Sequence, residues 1–233
     1  MRIDLKTELA DFIADPGFPC VGAKSALRKG QLTTYIARSI DSAWNDVEIQ
    51  EQLMEFAWAY QADPTLFTSF AVVFEGPLEL SESEFERHLW DRVQSLTAKD
   101  SWRGQRPDPR VSVDPDDPHF SLSFGGEAFF VVGLHPKASR PARRFAYPTM
   151  IFNLHDQFET LREQNRYEKL RSSILDRDVA LAGSMNPMLA RHGSISEARQ
   201  YSGRAVAEGW QCPYHRAPED DAAVDPLAEA VES

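Results

Sequence analysis

Histidine, cysteine and arginine occur close together in polar segments of the second half of the chain. These segments span residues 133–145, 152–158, 186–204 and 210–215. They lack the apolar periodicity of a core helix or strand, so packing alone does not account for their composition. We therefore predict a ligand-binding or catalytic site in this half of the chain.

His135 follows the apolar run 128–134, which places its imidazole at the end of a predicted strand. Side chains at strand ends often bind ligands, although a lone histidine is more often a hydrogen-bonded structural residue. A dense group of cations follows it: Lys137, Arg140, Arg143 and Arg144. Guanidinium groups bind carboxylates and phosphates at two points, so the group is typical of either an anion site or a solvated loop.

His155 begins a predicted helix after another apolar run. Asp156 and Glu159 follow in the first turn, where acidic side chains suit the helix dipole. Helix capping by His155 and a surface ion pair between Glu159 and Arg162 would explain these residues without a function. Alternatively, Asp156 orients a histidine or binds a cationic substrate.

Cys20 and Cys212 are the two cysteines of the chain, and both lie in segments rich in glycine or proline. A thiolate is both a nucleophile and a soft metal ligand, but a buried inert thiol is commoner. Neither cysteine has a CxxC partner, so the zinc signal is weak. A site composed of both cysteines with His135 and His155 remains open, because nothing in the spacing demands or excludes it.

Composition narrows the class of protein. The 233 residues carry a formal net charge of −11, and 42% of them are hydrophobic. Residues 217–233 hold six acids and no base, so residues 1–216 keep 25 basic and 30 acidic residues, a net charge of −5. Such a surface disfavours nucleic acid as a main partner. The absence of a long apolar run or signal sequence disfavours a membrane location and predicts a cytoplasmic protein.

Hydrophobic periodicity predicts the elements that position these residues. The predicted helices cover residues 5–13, 45–61, 81–96 and 155–178, and the predicted strands cover 31–39, 66–74, 120–124, 128–134 and 148–154. Gly125 and Gly126 predict a hairpin turn, which favours antiparallel pairing. We therefore expect an α+β fold with a largely antiparallel mixed sheet flanked by helices.

The chain from Gly183 onward is rich in loop residues, and we expect this irregular segment to cover the site as a lid or pocket wall. Residues 1–216 are expected to form a single α+β domain. Residues 217–233 are expected to form an acidic disordered tail. A homodimer is left open by the sequence.

Six ordered blocks resemble the YqcI/YcgG family over about residues 16–215. They are Phe18-Pro-Cys20, Gly133-Leu-His-Pro136, Phe152-Asn-Leu-His155, Asn186-Pro-Met188, Glu197–Arg204 and Trp210-Gln-Cys-Pro213. Family members of the guanitoxin and D-cycloserine pathways are haem proteins that N-hydroxylate a guanidino group. The resemblance therefore implies haem b (iron) and a reaction that activates O2, but it does not transfer the substrate. We expect a small nitrogenous compound, guanidino or amino, as substrate. The electrons would come from an external donor, since no flavin or nicotinamide fingerprint is present.

The resemblance also suggests roles for the candidate residues. Haem needs an axial ligand, cations for two propionates and an apolar wall. His135 is the first choice of axial ligand, followed by His155 and then Cys212. The propionate partners would be Arg140, Arg143 and Arg144, and the wall would include Phe152 and Trp210. Cys20, Asp156 and Glu197 are the catalytic candidates, with the two acids holding a cationic substrate.

Two other classes of function remain open. A haem-binding sensor or carrier would need the same ligand and arginine group but would not turn over a substrate. A haem-free thiol enzyme would instead use Cys20 or Cys212 with a histidine base.

Overall fold

The computed structural model describes residues 4–188 and 195–215. Seven α-helices lie in these residues: α1 Leu5–Ala14, α2 Val21–Arg28, α3 Asp46–Ala62, α4 Glu82–Trp102, α5 Asp156–Glu163, α6 Tyr167–Ala182 and α7 Ala198–Tyr201. The strands are β1 Leu32–Ser39, β2 Ser69–Gly76, β3 Leu122–Phe124, β4 Glu127–Leu134 and β5 Thr149–Leu154. The predicted acidic tail, residues 217–233, lies outside the described residues.

The strands form one mixed sheet in the order β1-β2-β5-β4-β3. β1 pairs with β2 in parallel, and the other neighbouring strands pair antiparallel. The predicted α+β class with a largely antiparallel mixed sheet is therefore confirmed. The predicted turn at Gly125 and Gly126 is also confirmed, because both residues have positive φ angles, of 59° and 83°.

Alternating side chains divide the sheet into two buried faces. Phe70, Phe129 and Phe152 belong to the main core, which also contains buried residues of α3 and α4. Ala71 and Ile151 point the other way, into a second core with residues of α1. The strands are apolar on both faces for this reason.

α4 packs very closely on β4, and the sequence of both elements explains this. Ser81 and Glu84 form the capping box that starts α4. A Cβ placed on Gly133 of β4 would lie 2.7 Å from a ring carbon of Phe85 and 2.9 Å from a methyl carbon of Leu89. Glycine is thus required where the helix crosses the strand.

Two helix predictions were incomplete. The helix predicted over 155–178 is two helices, α5 and α6, separated by Asn165 with a φ of 54°, which a continuous helix cannot contain. α2 was not predicted, because Gly22 and the neighbouring Pro19 made this segment resemble a loop. In both cases local composition was a poor guide to the tertiary structure.

Residues 195–215, called the strap here, lie against α4 and the outer part of β4. β3 pairs with β4 only from Glu127 to Phe129, so another part of the chain must cover the edge of β4 after Phe129. α7, within the strap, contacts β4 there, and the Tyr201 hydroxyl lies 3.4 Å from the Phe129 carbonyl oxygen that accepts its hydrogen bond. The strap is largely irregular, as expected for this segment.

Among residues 4–188 and 195–215, none of the helices combines the length and apolar character needed to cross a membrane.

Candidate functional site

An acidic cavity of about 440 Å³ lies at the N-terminus of α5. Its lining consists of Arg110, Val111, His119, His155, Asp156, Glu159 and Glu163. Three carboxylates thus face one guanidinium, which gives the cavity a negative potential when its histidines are neutral. The cavity is therefore suited to a small cation.

β5 and α5 together position His155. The His155 backbone N–H donates to the Ala128 carbonyl oxygen at 2.8 Å, and α5 begins at the next residue. On its side chain, Nδ1 lies 3.4 Å from the Ser121 hydroxyl oxygen and Nε2 lies 3.2 Å from Glu159 Oε1. These contacts on both ring nitrogens fix the orientation of the imidazole at the cavity wall.

Arg110 connects three carboxylates at the same cavity. Its Nε donates to Asp108 Oδ1 at 2.9 Å, Nη2 donates to Glu127 Oε2 at 2.9 Å and Nη1 donates to Asp156 Oδ1 at 2.9 Å. Tyr60 donates its hydroxyl hydrogen to the other Asp156 oxygen at 2.7 Å. Asp156 is therefore held by two different donors, and the loop that carries Arg110 is fixed to the sheet.

The charges of this network shift several pKa values. The hydrogen bonds that Arg110 donates to Asp108, and then the charges of Asp108, Glu127 and Asp156, raise the pKa of Arg110 against the effect of its burial. Burial acts to raise the pKa of Asp108, but hydrogen bonds from Arg110 outweigh it and lower that pKa. Burial and the hydrogen bond to Asp156 raise the pKa of Tyr60, so its phenol stays protonated at neutral pH.

His135 lies apart from this cavity, between β4 and α4. The residue is 1% exposed, and its ring stacks on Phe85 with the ring centroids 4.4 Å apart. Its Nδ1 has no hydrogen-bond partner among the described residues. Burial lowers the pKa of His135 to about 4, so the imidazole is neutral at pH 7.

The three predicted propionate partners are bound to protein oxygens. Arg140 forms an ion pair with Asp178 of α6. Arg143 donates to the Gly133 carbonyl oxygen at 3.0 Å, and Arg144 donates to the Ala138 carbonyl oxygen at 2.9 Å. In this arrangement, these arginines connect loops to the sheet and to α6.

Cys212 is buried and Cys20 is half-buried, and neither thiol is activated. Cys20 is the N-cap of α2, where its sulfur accepts a hydrogen bond from the Ala23 backbone N–H at 3.4 Å. Burial raises the pKa of Cys20, and burial also raises the pKa of Cys212 to about 12. An efficient thiol nucleophile has a lowered pKa instead.

Cys212 borders a second cavity, of about 670 Å³. Its lining consists of Val113, Asp114, Pro115, Asp116, Gln211, Cys212, Pro213, Tyr214 and His215. The cavity therefore lies between the strap and the loop that follows Arg110. Within residues 4–188 and 195–215, no group of three or more metal-binding side chains is placed to hold a metal ion.

The remaining predicted residues are dispersed. Phe152 is fully buried in the main core, beside Phe124 and Phe129. Trp210 packs on Trp90, with ring centroids 6.3 Å apart. Glu197 directly precedes α7. The structure thus brings His155 and Asp156 together but does not bring the predicted axial ligands, arginines and apolar wall around one opening.

Haem does not fit this arrangement of the described residues. His135 is covered by Phe85, and its neighbouring arginines are bound to protein oxygens. His155 and Cys212 border cavities, but acidic residues line both of these cavities and would repel the propionates. Binding of haem would require these protein contacts to be displaced.

Sequence reasoning missed Arg110, His119 and Glu163 as cavity residues. Arg110 and His119 lie in the proline- and aspartate-rich segment 106–118 or directly after it, which has no periodicity to indicate their position. Glu163 was detectable in principle, since residues 155, 159 and 163 follow the four-residue spacing of one helix face.

Comparison with known proteins supports one assignment. No curated protein and no solved structure matches the chain. The family model described as YqcI/YcgG family matches residues 9–215, which is most of the chain. The match includes the acidic cavity, His135, both cysteines and the strap. The chain therefore belongs to the YqcI/YcgG family.

Proposed function

We propose that this protein is a cytoplasmic haem-dependent oxygenase that N-hydroxylates a small cationic nitrogen compound, with O2 and an external electron donor. The haem chemistry is supported by the resemblance to family members that act on guanidino groups. The cationic substrate is supported by one observation, the acidic cavity at the start of α5.

The cavity residues divide into two roles. Glu163 provides the exposed carboxylate for a guanidinium or ammonium group. Glu159 lies one helical turn earlier, but it already forms an ion pair with Arg162 and lies 3.2 Å from His155 Nε2. Arg110 and Tyr60 hold the Asp156 carboxylate in place. This fixes the directions in which its oxygens can accept a further hydrogen bond from a ligand. His155 and His119 both line the cavity, and we assign to His155, which starts α5 beside Asp156, the transfer of a proton to or from a bound nitrogen.

Haem, when bound, would supply the activation of dioxygen. Because haem does not fit the described contacts, we assign no reaction step to it and no axial ligand. The proposal therefore depends first on whether the purified protein contains haem.

The test of haem content is an ultraviolet–visible spectrum of protein expressed with a haem precursor. We expect an intense Soret band that is retained through gel filtration. Spectra of the reduced protein with and without carbon monoxide would then distinguish a histidine ligand from a thiolate, which gives a strong red shift. A colourless protein that also fails to take up added haem would reject the proposal.

The test of the substrate class uses variants of the cavity. We expect Glu163→Gln to weaken the binding of methylguanidinium, measured by calorimetry, because one carboxylate is lost. Glu168→Gln is the matched control, since Glu168 is an exposed acid at the start of α6 outside the cavity lining. Equal binding by both variants would remove this cavity as the cation site.

A haem protein without turnover would behave differently in one assay. Substrate-dependent consumption of the reductant identifies an oxygenase, whereas a sensor or carrier shows none. The raised pKa values of Cys20 and Cys212 give no support to a haem-free thiol enzyme.

A further inference from the structure

One face of α4 contacts the strap. Glu86, Trp90 and Gln94 are spaced four residues apart, so their side chains lie along the same face of the helix. Each of them contacts the strap, residues 195–215, at a different point. The strap is therefore held on α4 at three successive turns.

Two of these attachments are uncharged. The Trp90 ring stacks on Tyr201 with centroids 5.7 Å apart and also lies near Tyr214, at 6.4 Å. Gln94 accepts a hydrogen bond from the His215 backbone N–H at 3.0 Å. Trp90, Tyr201 and Tyr214 are each at most 3% exposed, so these ring contacts are part of the main core.

The third attachment is an ion pair with little access to solvent. Arg204 donates from Nε to Glu86 Oε2 at 2.7 Å, and its Nη2 donates to the same oxygen. Ser202 donates to Glu86 Oε1 at 3.2 Å. The Glu86 side chain is 8% exposed and that of Arg204 is 30% exposed. Loss of Arg204 would leave the Glu86 carboxylate buried without its cation, so this attachment is the one most sensitive to substitution.

The strap has little regular structure to hold it closed by itself. Its described helix, α7, has only four residues, and Gly203 adopts a φ of 84° directly over the Arg143 side chain. Segments with few regular backbone hydrogen bonds open at a lower free energy than the sheet they cover. Arg143 also holds the strap, through hydrogen bonds to the Gln200 and Tyr201 carbonyl oxygens at 3.3 and 3.4 Å. The contacts to α4 add to this hold and contribute to how often the strap opens.

We infer that Glu86 is the latch of the strap: breaking its bonds to Arg204 and Ser202 weakens the hold of α4 on the strap and increases access to the cavity beside Cys212. The strap provides five of the residues that line this cavity, from Gln211 to His215. Opening therefore admits molecules to a space that the closed strap restricts. This inference does not depend on haem or on a substrate.

Cys212 reports the position of the strap, because it is 6% exposed and borders the cavity. The experiment measures the rate of iodoacetamide alkylation of each cysteine in the full chain by peptide mass spectrometry. In Glu86→Gln, we expect Cys212 to react about tenfold faster than in the wild type, the factor that corresponds to the loss of one charged hydrogen bond. The rate at Cys20, which lies outside the strap, is expected to stay unchanged.

Glu82→Gln is the matched control. Glu82 is the carboxylate one turn earlier on α4, and it accepts hydrogen bonds from Ser139 rather than from the strap. We expect this variant to keep the wild-type alkylation rate at Cys212. An unchanged rate in Glu86→Gln, or an equal acceleration of both cysteines, would overturn the latch.

A second variant covers the case in which Glu86→Gln does not fold. Arg204→Gln breaks the same ion pair from its more exposed side. Hydrogen–deuterium exchange is then expected to increase in residues 198–204 and to stay unchanged in β2 and β5. Wild-type exchange in residues 198–204 of this variant would contradict the inference.

Discussion

Arg110 has an unusual position, because an arginine side chain that is 51% exposed covers three carboxylates that are more buried. Asp108 is the most buried of these, with a side chain that is 1% exposed. A carboxylate in such a place is stable as an anion only while a cation and hydrogen-bond donors face it. The guanidinium of Arg110 thus has a structural task besides lining the acidic cavity.

Removal of this guanidinium gives the first prediction. Arg110→Ala is expected to lower the free energy of unfolding by about 2 kcal/mol or more, because Asp108 and Glu127 lose their cation. Urea unfolding at pH 7 measures this change. Arg106→Ala, an exposed arginine in the same loop, is expected to change it by less than about 0.5 kcal/mol. Equal effects of both substitutions would contradict the role of Arg110.

His135 gives a prediction for pH. Its pKa is lowered from 6.5 to about 4 by burial, so the folded state binds the proton less readily than the unfolded state. The stability due to neutral His135 is complete above pH 6.5 and is lost as the pH falls toward 4. His135→Gln is expected to flatten the pH dependence of the unfolding free energy over this range. An unchanged slope would show that other groups cause it.

The residues of the candidate site were predictable only in part. His155 and Asp156 were identified because they follow an apolar strand and start a helix, which is a local signal. Arg110 was not, since its three carboxylates are distant in sequence or hidden in a loop without periodicity. Long-range charge networks of this kind leave no spacing that a single sequence reveals.

At the scale of elements, the contact between α4 and β4 depends on Gly133. Gly133→Ala is expected to lower the free energy of unfolding by about 1 to 3 kcal/mol, because the new methyl group collides with Phe85 and Leu89. Thermal unfolding measures the effect. Gly209→Ala is a suitable control, since a Cβ at Gly209 meets nothing within 4 Å. Similar losses in both variants would show that the close packing at Gly133 is not the cause.

Element predictions succeeded where the hydrophobic pattern was strong. β2, β4 and α3 were found within a few residues of their ends, because their apolar runs or helical faces reflect burial. α2 was missed, since it is stabilised by its place between α1, β1 and α6 more than by its own composition. The break at Asn165 was missed because arginines and acids on both sides all favour helix.

At the scale of the whole molecule, the sheet order could not be predicted. The sequence favoured antiparallel pairing, which is correct for most of the sheet, but it did not reveal that β5 lies between β2 and β4. Register gives the reason: Phe70 pairs with Phe152, across 82 positions, and no local pattern specifies such a partner.

This order predicts that the first half of the chain is not stable alone. A fragment of residues 1–105 contains β1 and β2 but lacks β5, so one edge of β2 remains unpaired and both cores lose the residues of β4 and β5. We expect it to show no cooperative unfolding transition by circular dichroism. A fragment with a sharp transition would show that the strands after residue 105 are an addition to an independent unit.

The central position of β5 also affects how the protein is made. Synthesis proceeds from the N-terminus, so β1, β2, β3 and β4 have all left the ribosome before the strand that joins them into one sheet. Until then, the inner edges of β2 and β4 are open to pairing with other nascent chains. The interval between translation of residue 76 and residue 154 is thus the period in which this protein is most exposed to aggregation, and in which a chaperone would have most effect.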